Sequence, residues 1–462
     1  MRRETFLAGI VTVTLTLSAA QAAAPVSFMR VVPDLVADQS PLGVVAADID
    51  GDGKIDLVVA NSDGDSVSVL WGDGNGGFLD SGAPFPTGVA PFAVAVGDLN
   101  HDGKLDIVTS DEIGDTTAGG TVTVLLNQGN RAFADGVSTD TGGSPQALVV
   151  ADFDGDNLPD VATANNFDGT VSILLNTGGG ALFLAQTVTV GSEPVGVAFA
   201  DLNGDGRGDL VVTNSSGGTD GNGSVSVLKG VAGGMFEAQP EIPLPSDCGT
   251  LGCVPVAVAV ADLNGDTKPD IVVANNETDN VSVLLGNCDL TFTALGSFMV
   301  NASPEWVVAA DFDRDGRMDI ATSSDFDNKV SVLLGNGDGT FMPFVEFDVG
   351  AGAFGIVAAD LNGDHKQDIA SANADDGTVS VLLNTTTPAQ ICGGDCNGNG
   401  HVGVDEIIRL VDITLAVPQP SACTAGGAPV STCTAGDLNG DGQITVDEIV
   451  AAVSNALNGC MQ

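Results

Sequence analysis

A nine-residue acidic motif recurs seven times along this chain, and its recurrence limits the possible folds more than any other feature. The first copy reads Asp48-Ile-Asp50-Gly-Asp52-Gly-Lys54-Ile-Asp56, the second Asp98-Leu-Asn100-His-Asp102-Gly-Lys104-Leu-Asp106. Further copies start at Asp152, Asp201, Asp262, Asp311 and Asp360, so successive starts lie 50, 54, 49, 61, 49 and 49 residues apart. Six copies carry a proline seven positions before the first Asp (Pro41, Pro91, Pro145, Pro194, Pro255, Pro304), and the seventh has Ala353. Self-similarity at a near-constant period points to one small unit repeated in an array, not to a set of unlike domains.

Each unit reads as four short strands. An alternating run such as Val94-Ala-Val-Gly enters the acidic loop and an apolar run such as Leu57-Val-Val-Ala leaves it. A third run begins near Val67, Val122, Val171, Val225, Val281, Val330 and Val379, and a fourth opens on Phe78, Phe133, Phe183, Phe236, Phe292 and Phe341. Four strands per unit is the pattern of a β-propeller blade. The seventh unit ends at Asn384 without its aromatic fourth strand, while Phe28 lies 13 residues before Pro41, as Phe78 does before Pro91. An N-terminal strand that completes the last blade explains both ends. The expected fold is therefore an all-β, seven-bladed propeller over residues 25–384, whereas an open solenoid leaves the displaced Phe28 strand unexplained.

Carboxylates at positions 1, 3, 5 and 9 of a tight loop can converge on one centre, with the backbone oxygen of position 7 beside them. Oxygen-only ligation selects Ca²⁺ over metals that seek His or Cys. The expected ligands are Asp48, Asp50, Asp52, Lys54 and Asp56 in the first loop, and Asp98, Asn100, Asp102, Lys104 and Asp106 in the second. Asp152, Asp154, Asp156, Leu158 and Asp160 form the third set, and Asp201, Asn203, Asp205, Arg207 and Asp209 the fourth. Asp262, Asn264, Asp266, Lys268 and Asp270 follow, then Asp311, Asp313, Asp315, Arg317 and Asp319, and last Asp360, Asn362, Asp364, Lys366 and Asp368. Position 6 needs a sharp turn, for which Gly is suited. Asn157, Thr267 and His365 replace it, and Thr tolerates the left-handed backbone poorly, which makes the fifth loop the weakest. An acidic turn without metal is the plainer reading of any single loop, but clustered carboxylates repel unless neutralised. A structural role, pinning hairpins, suits such sites better than chemistry.

These units resemble the FG-GAP, or VCBS, repeat of integrin-alpha-like propellers, and the resemblance spans about 360 residues. It implies a Ca²⁺ loop in the hairpin between a blade's first two strands. It implies no single function, because such propellers include adhesion receptors, lectin-like proteins and companions of polysaccharide-degrading enzymes.

Composition narrows the partners. The chain has 61 acidic against 14 basic residues and a formal charge of −47, which disfavours nucleic acid and anionic membrane surfaces. Hydrophobic content of 43% suffices for a packed core. Arg2 and Arg3 precede an apolar run from Phe6 to Leu17 and the small-residue stretch Ala20-Gln21-Ala22. That is the order of a secretory signal peptide over residues 1–22, too short to span a bilayer, and it predicts a secreted or cell-surface protein.

Five of the eight Cys fall after residue 391, so residues 392–462 read as a separate disulfide-stapled module behind a Thr-rich linker at 385–391. Asp437, Asn439, Asp441, Gln443, Thr445 and Glu448 match the ligand positions of a 12-residue EF-hand loop. Asp395, Asn397, Asn399, His401 and Glu406 form a weaker copy, with Gly403 offering no side-chain ligand. Helical patterns follow at Ile407–Leu415 and Ile449–Leu457. Paired loop-helix units resemble dockerin modules, which implies a docking partner, although the 42-residue spacing and the Cys content depart from that pattern. A stapled stabilising cap is the equal alternative.

No catalytic constellation stands out. His101, His365 and His401 all sit inside acidic loops, the chain has no Tyr, and most Asp are assigned to cations. Arg207-Gly208-Asp209 spells an integrin-recognised tripeptide, but Asp209 is better read as a loop ligand. Asn276 and Asn301 begin glycosylation sequons, and Cys248 and Cys253 are near enough in sequence to bridge. Binding is expected on the face opposite the calcium hairpins, where the connections at 111–120 and 214–223 vary most. Asn61, Asn165, Asn214, Asn275 and Asn373 end the second strands there, either as Asx turns or as a ring of amides for sugar hydroxyls. The leading expectation is a non-catalytic binding or adhesion module for a glycan or protein. A carbohydrate-active enzyme (polysaccharide lyase or hydrolase) and a structural surface protein are the alternatives.

Overall fold

The computed structural model describes residues 26–79, 82–112, 119–216, 223–244 and 253–386. The leader, residues 387–391 of the linker, the C-terminal module with both of its loops, and Cys248 lie outside the described residues, as do 113–118 and 217–222 of the two variable connections. Within them the chain forms seven antiparallel blade sheets, one per repeat, and a separate two-stranded piece in the second blade that pairs Asn127–Gly129 with Ala132–Phe133. Six of the blade sheets run in sequence order from the channel outward. In the first blade the strands are Pro41–Ala47, Asp56–Asn61 and Ser66–Gly72, followed by the outer pieces Phe78–Leu79 and Phe85–Pro86.

The second strand is buried over its first six residues in all seven blades, since each sheet is covered on both faces by its neighbours. Its near-continuous apolar sequence follows from that two-sided burial. Core clusters accordingly straddle blade boundaries. Val58, Ala60, Val67 and Val69 of the first blade pack with Val94, Ile107 and Leu125 of the second.

The ring closes as the displaced strand requires. Phe28–Arg30 adds antiparallel to Thr378–Asn384, with Phe28 opposite Asn384 and Arg30 opposite Leu382. Phe28 then meets Phe312 and Phe347 edge-on, with ring centroids 5.9 and 5.0 Å away. The last blade is thus built from both ends of the described chain, which removes a free sheet edge.

The outer strand departs from expectation. It is one continuous strand in the third and fifth blades, Leu182–Thr189 and Phe292–Met299, but elsewhere it is short or broken. Pairing on one side only makes it the cheapest strand to interrupt, and Pro84, Gly136, Pro240 and Pro343 fall in the gaps.

Candidate functional site

The acidic loops close on themselves by one shared pattern of bonds, although the bond from position 4 to position 1 is missing in the second and sixth loops. In the first, Asp48 Oδ1 accepts from the backbone N–H of Gly51 and Asp52 at 2.9 and 3.0 Å, and Oδ2 from Gly53 at 2.8 Å. Asp50 accepts from Asp52 N–H at 3.1 Å, and Asp52 from Lys54 N–H at 3.0 Å. The bond from position 6 to position 1 recurs in all seven loops, which forces position 6 into the left-handed region. Thr267 adopts it at φ +66°, the strained case foreseen from its β-branch, beside Asn157 at +70° and His365 at +63°. Position 4 is left-handed as well, a demand the motif hid: His101 and Arg314 both stand at φ +61° where the other loops have Gly.

The position-9 carboxylate does something different from the rest. Asp56 accepts from the N–H of Ile49 at 2.9 Å and from that of Gly72, at the end of the third strand, at 2.8 Å. The same two bonds form at Asp106, Asp160, Asp209, Asp270, Asp319 and Asp368. All seven of these Asp are at most 1% exposed. Burial pushes their carboxyls up, to about 6 at Asp160, Asp270 and Asp368 and to about 8 at Asp319, while the two N–H bonds pull the other way. The residue whose N–H is held, at loop position 2, is always apolar and plugs the blade interface, as Leu99 and Phe312 do at 0% exposure. Position 9 is therefore a structural anchor in its own right.

Carboxylate oxygens of Asp48, Asp50 and Asp56 lie within 4.8 Å of one another, as do those of Asp152, Asp154 and Asp160, and of Asp311, Asp313 and Asp315. Position 7 carries a cation in six loops, and its side chain turns back on position 5. Lys54 reaches Asp52 at 2.9 Å, Lys104 reaches Asp102 at 2.6 Å and Lys268 reaches Asp266 at 2.7 Å. These contacts hold Asp52 and Asp102 below the usual carboxylate range. Leu158 leaves the third loop without such a partner. Arg131 adds a second neutraliser at the first loop, 2.8 Å from Asp50 and stacked 4.7 Å from the Trp71 ring.

On the opposite face, the Asn residues that end the second strands are fully buried and cannot meet a sugar. Nor do they simply cap turns. Asn165 Nδ2 donates to Thr170 and Ser172 on the third strand at 3.0 and 2.9 Å, and Asn61, Asn214, Asn275 and Asn373 make equivalent lateral bonds. Asp111 holds this place in the second blade and Ser324 in the sixth. Asp209 of the Arg-Gly-Asp tripeptide is 0% exposed, so it is unavailable for adhesion. Asn301 is buried too, which excludes it as a glycan acceptor in the fold. Cys253 is buried against the fourth–fifth blade core, and its expected bridge to Cys248 lies outside the described residues.

Two further features of this face escaped the motif reading. Phe167 and Phe326 occupy the turns after the second strands of blades three and six and are 64% and 78% exposed. A cavity of about 380 Å³ opens at the channel mouth, walled by inner-strand residues of several blades. The signal for it is the residue after the recurring proline, which varies from Phe92 to Gln146 to Glu305 while a Gly or Ala follows it in every blade but the sixth, where Trp306 stands. No helix among the described residues is long and apolar enough to cross a membrane.

A model of the FG-GAP-like repeat matches residues 40–109, 152–212, 262–322 and 321–371, more than half of the chain. No curated protein matches significantly. Among solved structures, BBS1N in complex with ARL6DN is similar at TM-score 0.53 and 14% identity, over 78% of this chain and 98% of that one. Virginiamycin B lyase from Staphylococcus aureus gives 0.52 and 15%, over 78% and 99%. A 6-phosphogluconolactonase homologue from Bacteroides uniformis gives 0.50 and 14%, over 75% and 96%. At these identities the likeness is one of fold alone.

Proposed function

The chain belongs to the FG-GAP-like repeat family, and on that premise we propose that it is an exported, calcium-stabilised propeller that binds a glycan or a protein without transforming it. The observation that carries the reading is the unlike character of its two faces. One presents seven self-braced acidic loops; the other presents Phe167 and Phe326 to solvent in matching turns around the channel mouth. Solvent-facing aromatic rings on rigid turns are favourable for stacking against a sugar or filling a partner's pocket. BBS1N, a neighbour in fold, was crystallised with a protein partner, which supports the protein alternative.

The calcium part of the proposal draws on the donor set. It is all oxygen, three carboxylates already converge in loops one, three and six, and the ligand orientations are fixed by backbone N–H bonds. A bound Ca²⁺ would supply charge neutralisation where Asp152, Asp154 and Asp156 have no cation at position 7, so the third loop is the expected tightest site. The leader-like start and the paired C-terminal loops extend the proposal to export and to a docking partner.

Retention on a panel of immobilised polysaccharides and glycans, with calcium and with chelator, tests the binding role. Wild-type protein should be retained with calcium, and the Phe167→Ala/Phe326→Ala double variant should lose at least about tenfold in affinity at an unchanged melting temperature. Equal retention of the double variant would remove this face from the function, and release of sugar products would replace binding with catalysis.

A further inference from the structure

The cavity at the channel mouth is apolar over most of its wall, with Phe92, Trp306 and Phe354 contributing aromatic surface. Phe92 and Phe354 meet edge to face at 5.4 Å, which holds two of these rings in a fixed orientation. Its volume is at the lower end for a site taking a small organic molecule. Few polar groups enter it, among them Gln146, Asn166, Ser215 and Glu305.

Glu305 is the charged group of the cavity wall, and no cation among the described residues pairs with it. Its Oε1 accepts from the amide of Asn276 and from the hydroxyl of Ser303. Burial and the nearby charge of Asp325 push its carboxyl up to about 7. Asp325 stands in the adjoining turn with one carboxylate oxygen enclosed and accepting no hydrogen bond among the described residues. Gln146 is already committed, its amide donating to Glu112 at 3.1 Å. The ion pairs of the described residues are spent in the acidic loops or on the outer strands, at Lys329 with Glu346 and Asp348 for example, and no Lys or Arg lines the cavity.

We propose that the channel mouth is a binding site for a small organic ammonium ion: an apolar or aromatic body seated against Phe92, Trp306 and Phe354, with its charged nitrogen on the carboxylate of Glu305 and the negative charge of Asp325 reinforcing the site from behind it. The occupant's chemistry follows from complementarity. A neutral apolar guest would leave the Glu305 carboxylate desolvated and unpaired, and an anion would meet two negative charges with no donor cation. An ammonium gains both a charge-assisted hydrogen bond and the faces of the aromatic rings. This site is independent of the glycan or protein proposal, since neither Phe167 nor Phe326 lines the cavity.

The test is isothermal titration, with saturation-transfer NMR, of the full chain at about pH 8, where both an amine and Glu305 carry charge. The probes are 2-phenylethylamine, its neutral isostere 2-phenylethanol and the anion 3-phenylpropionate. The amine should bind at least about tenfold more tightly than the alcohol, and the acid should not bind. Glu305→Gln, which keeps size and hydrogen bonding, should erase the preference for the amine while leaving the weak binding of the alcohol. Equal binding of amine and alcohol, an amine preference retained in Glu305→Gln, or no binding of the amine would each overturn the assignment. The wild-type comparison of isosteres stands even if a variant misfolds, and failure on the glycan panel leaves it untouched.

Discussion

Chelation of calcium is expected to lower the melting temperature of the wild-type protein by tens of degrees, and two variants of one loop separate the reasons. A loop held at a hundred times its dissociation constant adds about 2.7 kcal/mol. Three such loops would add about 8 kcal/mol, which rivals the whole stability of an ordinary domain. Asp205→Ala removes a solvent-facing position-5 carboxylate whose ion-pair partners are Arg207 at 3.9 Å and Lys229 at 3.6 Å. With chelator present it should shift stability by under about 1 kcal/mol, because exposed pairs contribute little. With calcium present it should melt lower than wild type, because a ligand is missing. Asp209→Ala differs in kind. It strands the buried N–H groups of Leu202 and Gly230, which Asp209 accepts at 3.0 and 2.8 Å. Each orphaned donor costs about 1 to 3 kcal/mol, partly offset by relief of a carboxylate that burial disfavours, so a loss of about 2 to 4 kcal/mol should persist in chelator. Thermal melts of the three proteins in both media decide the matter. A wild-type melt indifferent to chelator would sink the cation proposal, and an Asp209→Ala melt equal to wild type in chelator would sink the anchor.

That contrast also marks where the sequence was readable. The proline-to-aspartate interval and the displaced Phe28 strand were legible because a repeat exposes its own exceptions: seven acidic loops against six internal aromatic strands leave one strand to be supplied from the N-terminus. The outer strand was less legible, since a strand paired on one side tolerates Pro and Gly that a central strand would not. Within the loops, position 9 looked like one ligand among four. Its second task, clamping position 2 to the third strand, depends on a bond to Gly72 sixteen residues away that spacing alone does not reveal. The Asn residues were misread for a related reason. Asn suits turns and sugar contacts alike, and only the pairing of Asn165 opposite Thr170 shows that its amide is spent sideways within the sheet. The channel cavity was hidden because its wall takes residues from several blades some 50 residues apart, such as Phe92, Gln146 and Glu305.

Replacing Asp111 with Asn should stabilise the protein at neutral pH, and the fold itself contains the precedent. Asp111 occupies in the second blade the buried place that Asn165 holds in the third. Its Oδ1 accepts from Thr109 at 2.7 Å, and Oδ2 from Thr121 and Thr123 at 3.2 and 2.6 Å. In the third blade, Thr163 donates to Asn165 Oδ1 at 2.9 Å, while the amide nitrogen donates to Thr170 and Ser172. Rotating two hydroxyls therefore lets the amide of the Asp111→Asn variant keep all three contacts. What the variant discards is a charge that three hydroxyls only partly compensate: burial, then the charge of Asp65, pushes the Asp111 carboxyl up to about 6 from an ordinary value of 3.8. A folded-state value above the unfolded one means that the fold is favoured while the group is protonated. The penalty is therefore absent below about pH 4, grows as pH rises toward 6, and is constant above. A shift of about 2 units corresponds to about 3 kcal/mol at neutral pH. Urea unfolding of wild type and Asp111→Asn across pH 4 to 7 should show the two converging at the acid end and separating by about 2 to 3 kcal/mol at the neutral end. A variant that is less stable at pH 7, or a difference that does not change with pH, would mean that the three threonine hydroxyls favour the carboxylate more than burial disfavours it.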